Sequence, residues 1–330
     1  MKVLITGGAG FIGGHFANRL LRSNDARVDL LDNFSRAVHD PFLDALAAHP
    51  NVGIIKRDLL QHRALDDLDD DYTHIVHLAA IVGVVHVLNK PYEVLRKNEG
   101  MMFAALDLAH RQQRLERFVF ASTSEIVAGT LLAYGVEIPT PETTPICVPD
   151  PSDVRHTYLL SKLYGEALCH HSGLPFTCVR PHNVYGPRMG LVHVVPELAK
   201  KVLALDEGGE LEVFSADHQR TFCYVEDAVE IMARLMLGGE DCRGVFNLGT
   251  QDPEVTIREV AQAVVDTIGK PVKVVDGPVM TGSPTRRCPD MSKTTAACGY
   301  ASKVSLSEGV AKTLAWYDEH VFKGGGPSAV

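Results

Sequence analysis

The chain has 330 residues, of which 45% are hydrophobic and 22% charged, and its formal net charge at pH 7 is -9. This composition is ordinary for a globular protein, so we expect a sizeable core organised in one or two lobes. The acidic balance provides no basic stripe for nucleic acid or for an anionic membrane. We therefore expect no nucleic-acid partner and no membrane partner.

Seven cysteines are scattered along the chain without any Cys-x-x-Cys pair. An odd number in this arrangement is a poor disulfide framework, and it indicates reduced thiols in a cytoplasmic protein. The N-terminal segment has no signal-peptide pattern, and no apolar run approaches the roughly 20 residues that span a bilayer. We expect a soluble, unprocessed protein with a cytoplasmic location.

Short β-branched runs alternate with longer amphipathic stretches, which predicts βαβ units around a parallel sheet buried on both faces. The predicted strands lie at residues 3–5, 28–31, 53–55, 74–78, 118–120, 175–180 and 245–248. The predicted helices lie near residues 13–23, 93–112, 158–171 and 227–237. The fold class is therefore α/β, with a doubly wound parallel sheet whose strand ends can build a ligand crevice.

Clusters of Gly, Pro and Thr fill residues 126–156, and they predict one long irregular loop. Such a loop in a compact enzyme is either functional or surface padding, and the sequence favours neither.

A glycine-rich turn follows the first predicted strand. Gly7, Gly10 and Gly13 let the backbone turn tightly and approach a pyrophosphate at a helix N-terminus. Asp32 ends the second predicted strand, where a carboxylate accepts hydrogen bonds from an adenosine ribose and disfavours a 2′-phosphate. We therefore predict NAD rather than NADP, although Arg36 could tolerate a phosphate. The alternative is that the glycines serve only helix–strand packing.

Tyr158 and Lys162 are four residues apart, so on a helix they share one face and can act on the same substrate atom. An ammonium group and an oxidised nicotinamide beside the phenol would lower the pKa of Tyr158 and make it a usable base. Alone, this pair is also typical of a core aromatic beside a surface lysine. Its weight comes from following the glycine-rich turn by about 145 residues.

Several motif blocks extend nearly end to end: residues 6–13, 77–80, 98, 122–125, 158–162, 180–188 and 220–228. Together they resemble the extended short-chain dehydrogenase/reductase family, in its nucleotide-sugar epimerase/dehydratase branch. The resemblance implies a Rossmann-type NAD-binding domain of residues 1–180, to which residues 221–252 return. It also implies a smaller, discontinuous C-terminal α/β substrate lobe of residues 181–220 and 253–330, a nucleotide-sugar substrate with a UDP-sugar favoured, and a homodimer that pairs two helices per subunit.

The resemblance also implies roles for individual residues. Thr123 would hydrogen-bond the sugar 4-hydroxyl, Tyr158 would remove its proton, and Lys162 would hold the nicotinamide ribose. Glu125, where simple 4-epimerases usually carry no acid, would remove the proton at carbon 5 beside a 4-ketone. Dehydratases and UDP-glucuronate decarboxylases of the family show a similar Thr-x-Glu. Ser124 stands where dehydratases usually have an aspartic acid. The alternative for Glu125 is a carboxylate that anchors a loop.

The predicted ligands follow from these blocks. The cofactor-binding residues are Gly7, Gly10, Phe11, Ile12, Gly13, Asp32, Asn33, Asp58, Leu59, Leu78, Ala79, Ala80, Asn98, Tyr158 and Lys162. The substrate-binding residues are Thr123, Asn183, Arg188, Arg220, Arg287 and Asp290. Solvated surface charge is the alternative for Arg220 and Arg287, and no metal site is predicted.

The expected function is transient oxidation of an NDP-hexose at carbon 4, followed by epimerisation, water elimination or decarboxylation. Of these outcomes epimerisation is preferred. The alternatives from other classes are a net NAD(P)-dependent reductase and a non-catalytic NAD-binding scaffold, because a fold does not dictate a function.

Overall fold

The computed structural model describes residues 1–23, 25–36, 40–280 and 284–323, and for residues 84 and 85 it describes the backbone alone. The end of the predicted substrate lobe, residues 324–330, lies outside the described residues. Within the described part, no helix is both long enough and apolar enough to cross a membrane.

Strands and helices alternate through the first half of the chain, as predicted. The strands are β1 (Lys2–Thr6), β2 (Arg27–Asp32), β3 (Val52–Lys56), β4 (His74–His77), β5 (Arg117–Ala121), β6 (Phe176–Pro181), β7 (Val184–Tyr185), β8 (Glu210–Val213), β9 (Gln219–Arg220), β10 (Cys223–Tyr224), β11 (Gly244–Leu248), β12 (Val255–Thr256), β13 (Lys273–Asp276) and β14 (Arg286–Arg287). The helices are α1 (Phe11–Leu20), α2 (Pro41–Ala47), α3 (Val84–Asn89), α4 (Pro91–Arg111), α5 (Ala128–Tyr134), α6 (His156–His171), α7 (Val194–Ala204), α8 (Val225–Leu237), α9 (Ile257–Ile268), α10 (Ser292–Cys298) and α11 (Leu306–Tyr317).

Seven strands form one parallel sheet in the order β11-β6-β5-β4-β1-β2-β3. Strand β1, in the interior of the sheet, is buried on both faces, because Val3 and Ile5 join a core with α1 and α8, whereas Leu4 joins a core with α4 and α6. Successive side chains of a strand point to opposite faces, so the two cores lie on opposite sides of the sheet. The predicted α/β fold with a doubly wound parallel sheet is confirmed.

Smaller sheets lie beyond β6. Strands β12, β9 and β14 form a three-stranded sheet, while β13 pairs with β8 and β10 pairs with β7. Helix α9 contacts both α7 and α11 in this part of the chain. Strand β11 nevertheless pairs with β6 in the large sheet, as expected for a strand that returns to it.

The segment predicted as one irregular loop, residues 126–156, begins with helical structure. A 3-10 turn at Ser124–Val127 runs into α5, which contains the good helix formers alanine and leucine. The Thr130 hydroxyl then donates to the carbonyl of Pro145 and accepts from the amide of Cys147. Residues 135–155 contain no helix, and the prediction of an irregular loop holds only for them.

Burial keeps several histidines neutral in the folded state. It lowers the pKa of His15 and His74 to about 4 and that of His77 and His182 to about 3. In the unfolded chain these groups titrate near pH 6.5, so between about pH 6.5 and 4 the unfolded chain binds more protons. The stability that the neutral form contributes is present above pH 6.5 and is lost as the pH falls.

We therefore expect the free energy of unfolding, measured by urea titration, to fall as the pH decreases from 7 to 5. His77→Gln should make that fall shallower by about one proton, whereas His86→Gln, at an exposed position, should leave it unchanged. A free energy that does not vary between pH 7 and 5 would contradict this account.

Candidate active site

The glycine-rich turn connects β1 to α1. Gly7 has a φ of +70°, and its amide donates to the carbonyl of Leu31 at 2.8 Å. A Cβ at Gly13 would lie 2.5 Å from the carbonyl oxygen of Gly7, so the helix and the turn pack backbone to backbone. Helix α1 begins after Gly10 and turns its first amides outward, where they can bind an anion.

Asp32 lies beside this helix end. Its carboxylate accepts hydrogen bonds from the amides of Ala9 at 3.2 Å and Phe34 at 2.8 Å. Burial raises the pKa of Asp32, and these hydrogen bonds oppose that shift. A carboxylate next to an anion-binding helix N-terminus fits a dinucleotide, whose ribose hydroxyls donate while its pyrophosphate accepts.

The other predicted cofactor residues lie around the same crevice. Asn33 donates to Asp58 at 3.3 Å, which joins the ends of β2 and β3, and buried Leu59 follows. Leu78, Ala79 and Ala80 follow β4, and a Cβ at Gly7 would lie 2.8 Å from the amide nitrogen of Ala79, so the two loops touch.

Asn98 is buried and bonded to protein groups. Its side chain exchanges hydrogen bonds with the backbone of Ile81 at 2.7 and 3.2 Å and donates to the hydroxyl of Ser161 at 3.2 Å. Since Ser161 lies between Tyr158 and Lys162, Asn98 fixes α6 against the loop after β4.

Thr123, Tyr158 and Lys162 converge at the end of β5. The Thr123 side chain is hydrogen-bonded to Tyr158, and it accepts from the amide of Glu125 at 3.2 Å. The Lys162 ammonium lies 5.7 Å from the centre of the Tyr158 ring and donates to the carbonyl of Ala121 at 2.7 Å. The structure therefore places all four predicted catalytic residues in one cluster.

Burial dominates the electrostatics of this cluster. Burial raises the pKa of Tyr158, the charge of Glu125 raises it further, and the Thr123 hydrogen bond and Arg36 lower it. Burial also lowers the pKa of Lys162 to about 8. In the protein alone, Tyr158 is therefore a neutral phenol, because desolvation outweighs the nearby positive charge.

Glu125 forms an ion pair with Arg287, a residue 162 positions later in the chain. The Glu125 side chain is 44% exposed, whereas that of Arg287 is 17% exposed. The pair therefore stands in the open crevice next to Tyr158, with its carboxylate accessible to solvent.

The small sheet places two arginines side by side. Strand β9 pairs with β14 in a register that sets Arg220 opposite Arg287. Burial lowers the pKa of Arg220 to about 10, with the charge of Arg287 adding to the decrease and Glu125 opposing it. Two guanidinium groups beside one carboxylate leave a net positive site, which suits a diphosphate or a carboxylate.

Asn183 lies near these arginines, because its side-chain amide donates at 2.9 Å to the carbonyl of Thr221, the residue after Arg220. The other two predicted substrate residues have different partners. The Asp290 carboxylate accepts from the amide of Ser292 at the start of α10, at 2.8 Å. The Arg188 guanidinium is bonded to Asp40 and to the glycine-rich turn, so it does not join Arg220 and Arg287.

Sequence reasoning missed several polar groups at these strand ends. The Ser122 and Thr221 hydroxyls and His182 Nδ1 are buried without a hydrogen-bond partner among the described residues. Arg36, considered only for a phosphate, donates to the carbonyl of Val82 at 3.4 Å and influences Tyr158 electrostatically. Ser122, His182 and Thr221 could have been found because they are adjacent in sequence to Thr123, Asn183 and Arg220.

Known proteins match this chain over most of its length. The model of the NAD dependent epimerase/dehydratase family matches residues 3–249. A UDP-N-acetyl-alpha-D-glucosaminuronate decarboxylase of Bacillus cytotoxicus is 31% identical over 96% of this chain and 98% of its own. UDP-glucuronic acid decarboxylase 6 of Arabidopsis thaliana is 31% identical over 94% of this chain and 87% of its own.

A solved structure has the same fold. The UDP-glucuronic acid 4-epimerase of Bacillus cereus, in complex with UDP-glucuronic acid and NAD, superposes with a TM-score of 0.79. It is 25% identical, and the match covers 97% of this chain and 99% of that one. The prediction of NAD as the cofactor is confirmed by the family, and the chain belongs to the NAD-dependent epimerase/dehydratase family of enzymes.

Proposed function

We propose that this enzyme is an NAD-dependent decarboxylase of a UDP-hexuronate, which acts through a ketone at sugar carbon 4. The observation that carries the proposal is the ion pair of Glu125 and Arg287 beside Tyr158. The names of the two relatives at 31% identity support it. The sequence alone favoured epimerisation, which becomes the second candidate.

Residues 1–180 and 221–252 would hold NAD, while residues 181–220 and 253–330 would hold the nucleotide sugar. Arg220 would bind the diphosphate through its guanidinium, and Asn183 would contact the same nucleotide. Arg287 would bind the uronate carboxylate while it stays paired with Glu125 and so holds that carboxylate beside carbon 5, which makes the two side chains one functional unit.

The residues present fit NAD, since an anion-binding helix end and Asp32 lie at one edge of the crevice. NAD bound there would supply a hydride acceptor for carbon 4 and a positive ring that would lower the pKa of Tyr158. Tyr158 takes the proton of the 4-hydroxyl, and Thr123 orients that hydroxyl. Lys162, charged below about pH 8, stabilises the phenolate.

Oxidation makes the substrate a β-keto acid, because carbon 6 is then a carboxylate one carbon removed from the carbon 4 ketone. The bond between carbons 5 and 6 breaks, carbon dioxide leaves, and its electron pair forms an enolate across carbons 4 and 5. The half-exposed Glu125 carboxylate takes up a proton from water and delivers it to carbon 5. Tyr158 would then return its proton to the carbon 4 oxygen as the hydride returns to carbon 4.

The second candidate is 4-epimerisation of the same hexuronate. The ion pair favours it in one respect, because Arg287 already occupies the Glu125 carboxylate and 4-epimerisation needs no proton donor at carbon 5. The Bacillus cereus 4-epimerase of the same fold also supports it.

We further propose a cytoplasmic homodimer. Helices α4 and α6 contact each other and expose aromatic side chains, with Tyr92 73%, Phe103 45% and Tyr164 43% exposed. An apolar surface of this kind on two adjacent helices suits a symmetric contact with the same helices of a second copy.

With UDP-glucuronate in heavy water, we expect the wild-type enzyme to release carbon dioxide and form a UDP-pentose with one solvent deuterium at carbon 5. Mass spectrometry of the products measures both. A product isomer of unchanged mass would show that the enzyme is a 4-epimerase and not a decarboxylase. Loss of water, or a sugar that does not change, would contradict the proposal.

Glu125→Gln should slow product formation by roughly 10²–10⁴-fold, because carbon 5 loses its proton donor. The first step should survive, so the absorbance of reduced nicotinamide should build up after the substrate is mixed with the enzyme. Glu137→Gln, on an exposed side chain of the nearby loop, is the matched control and should behave as wild type. Full activity of Glu125→Gln would exclude this role of Glu125.

A further inference from the structure

The segment from Asn183 to Met189 reaches from the substrate side of the crevice to the back of the glycine-rich turn. At one end, the side-chain amide of Asn183 donates to the backbone carbonyl of Thr221. At the other end, the Arg188 guanidinium pairs with Asp40 at 2.5 Å and donates to the carbonyls of Gly10 at 3.4 Å and Ala9 at 3.2 Å. One short segment therefore contacts both predicted binding sites.

The backbone of this segment is strained. Asn183 has a φ of +42° and Arg188 a φ of +70°, in the left-handed region that residues with a Cβ disfavour. Such geometry persists where the surroundings enforce it. Here the Phe42 ring lies 5.0 Å from the Arg188 guanidinium, and the Tyr317 hydroxyl of α11 donates to the carbonyl of Met189.

The ion pair beneath the turn is closed to solvent, with side-chain exposures of 3% for Arg188 and 5% for Asp40. The Asp40 carboxylate also accepts from the amide of Leu43 at 2.8 Å and so caps α2. Asp40 thus holds the Arg188 guanidinium in a fixed position against the turn. A planar fork can satisfy a carboxylate and two carbonyls at once, which a lysine ammonium at the end of a flexible stem cannot do in the same geometry.

The two carbonyls that Arg188 binds belong to the peptides that enter α1. In a trans peptide the carbonyl and the following amide point in opposite directions. A cation on the Gly10 carbonyl therefore directs the amide of Phe11 away from Arg188, toward the outer end of the helix. That amide is among the first four of α1, which have no acceptor within the helix and are available to a phosphate.

We propose that Arg188 is a positioning residue for the cofactor: it orients the amides of the phosphate-binding turn and links occupancy of the nucleotide-sugar site to retention of NAD. This role replaces direct substrate binding, which the sequence predicted for it. The inference rests on the cofactor placement in the proposed function, and it is independent of the sugar reaction that follows.

Gly14 offers a way to test the contact without removing Arg188. A Cβ at Gly14 would lie 2.5 Å from Nη1 of Arg188, so Gly14→Ala must push the guanidinium aside. Alanine favours a helix more than glycine does, so the local helix should not be weakened by propensity. Arg188→Lys is the second variant. Arg19→Lys is the control. Arg19 lies on α1, as Gly14 does, but it pairs with Glu230 of α8 and does not touch the turn.

The experiment measures the rate at which NAD leaves each purified holoenzyme, with and without UDP, and the melting temperature of the NAD-stripped protein. We expect Gly14→Ala and Arg188→Lys to lose NAD at least tenfold faster than wild type and Arg19→Lys. UDP should slow NAD release from wild type, and this effect should be lost in the two variants.

Unchanged NAD release in Gly14→Ala and Arg188→Lys would overturn the proposal. A lower melting temperature of the stripped variants with unchanged NAD release would also overturn it, since Arg188 would then be merely structural. If UDP does not slow release from wild type, the link between the sites is refuted. If Arg188→Lys does not fold, Gly14→Ala decides. Failure of the decarboxylase assay would leave these NAD measurements unaffected, so the two failures are distinguishable.

Discussion

A parallel sheet brings the carboxyl ends of all its strands to one edge, and the site depends on this constraint. Turns after β1, β4, β5 and β6 all open on that edge, which is how the glycine-rich turn, Thr123 and Asn183 come to share one crevice. The buried β-branched strands make the sheet rigid, and the polar chemistry is confined to the loops. A residue such as Asn98, fully bonded to Ile81 and Ser161, then transmits that rigidity to α6 and its tyrosine.

The ion pair of Glu125 and Arg287 crosses the crevice from the end of β5 to the small sheet. It gives the site a carboxylate that can exchange protons with water and a cation that can hold an acidic sugar. The buried phenol of Tyr158 is the third group of the site. Burial raises its pKa, so its deprotonation depends on charged groups that bind beside it. The same arrangement suits a hexuronate better than a neutral hexose, because a neutral sugar offers Arg287 no anion.

The sequence predicts the parts of the site that are local. The turn of Gly7 to Gly13, the carboxylate of Asp32 and the pair of Tyr158 and Lys162 each depend on spacing within one strand–helix unit. The partnership of Glu125 with Arg287 was not predicted, because it joins positions 162 residues apart and Arg287 lies on β14, a two-residue strand without any periodic signal. The contact of Arg188 with Asp40 was not predicted for a similar reason, since it joins positions 148 residues apart.

The most direct test of the central claim is a double-mutant cycle on kcat/KM for UDP-glucuronate, with Glu125→Gln, Arg287→Met and the combined variant. If the two residues act as one unit, the double variant should be little slower than the slower single variant, since each substitution already disables the pair. If instead the two rate losses multiply, Glu125 and Arg287 act independently and the account of the ion pair is wrong.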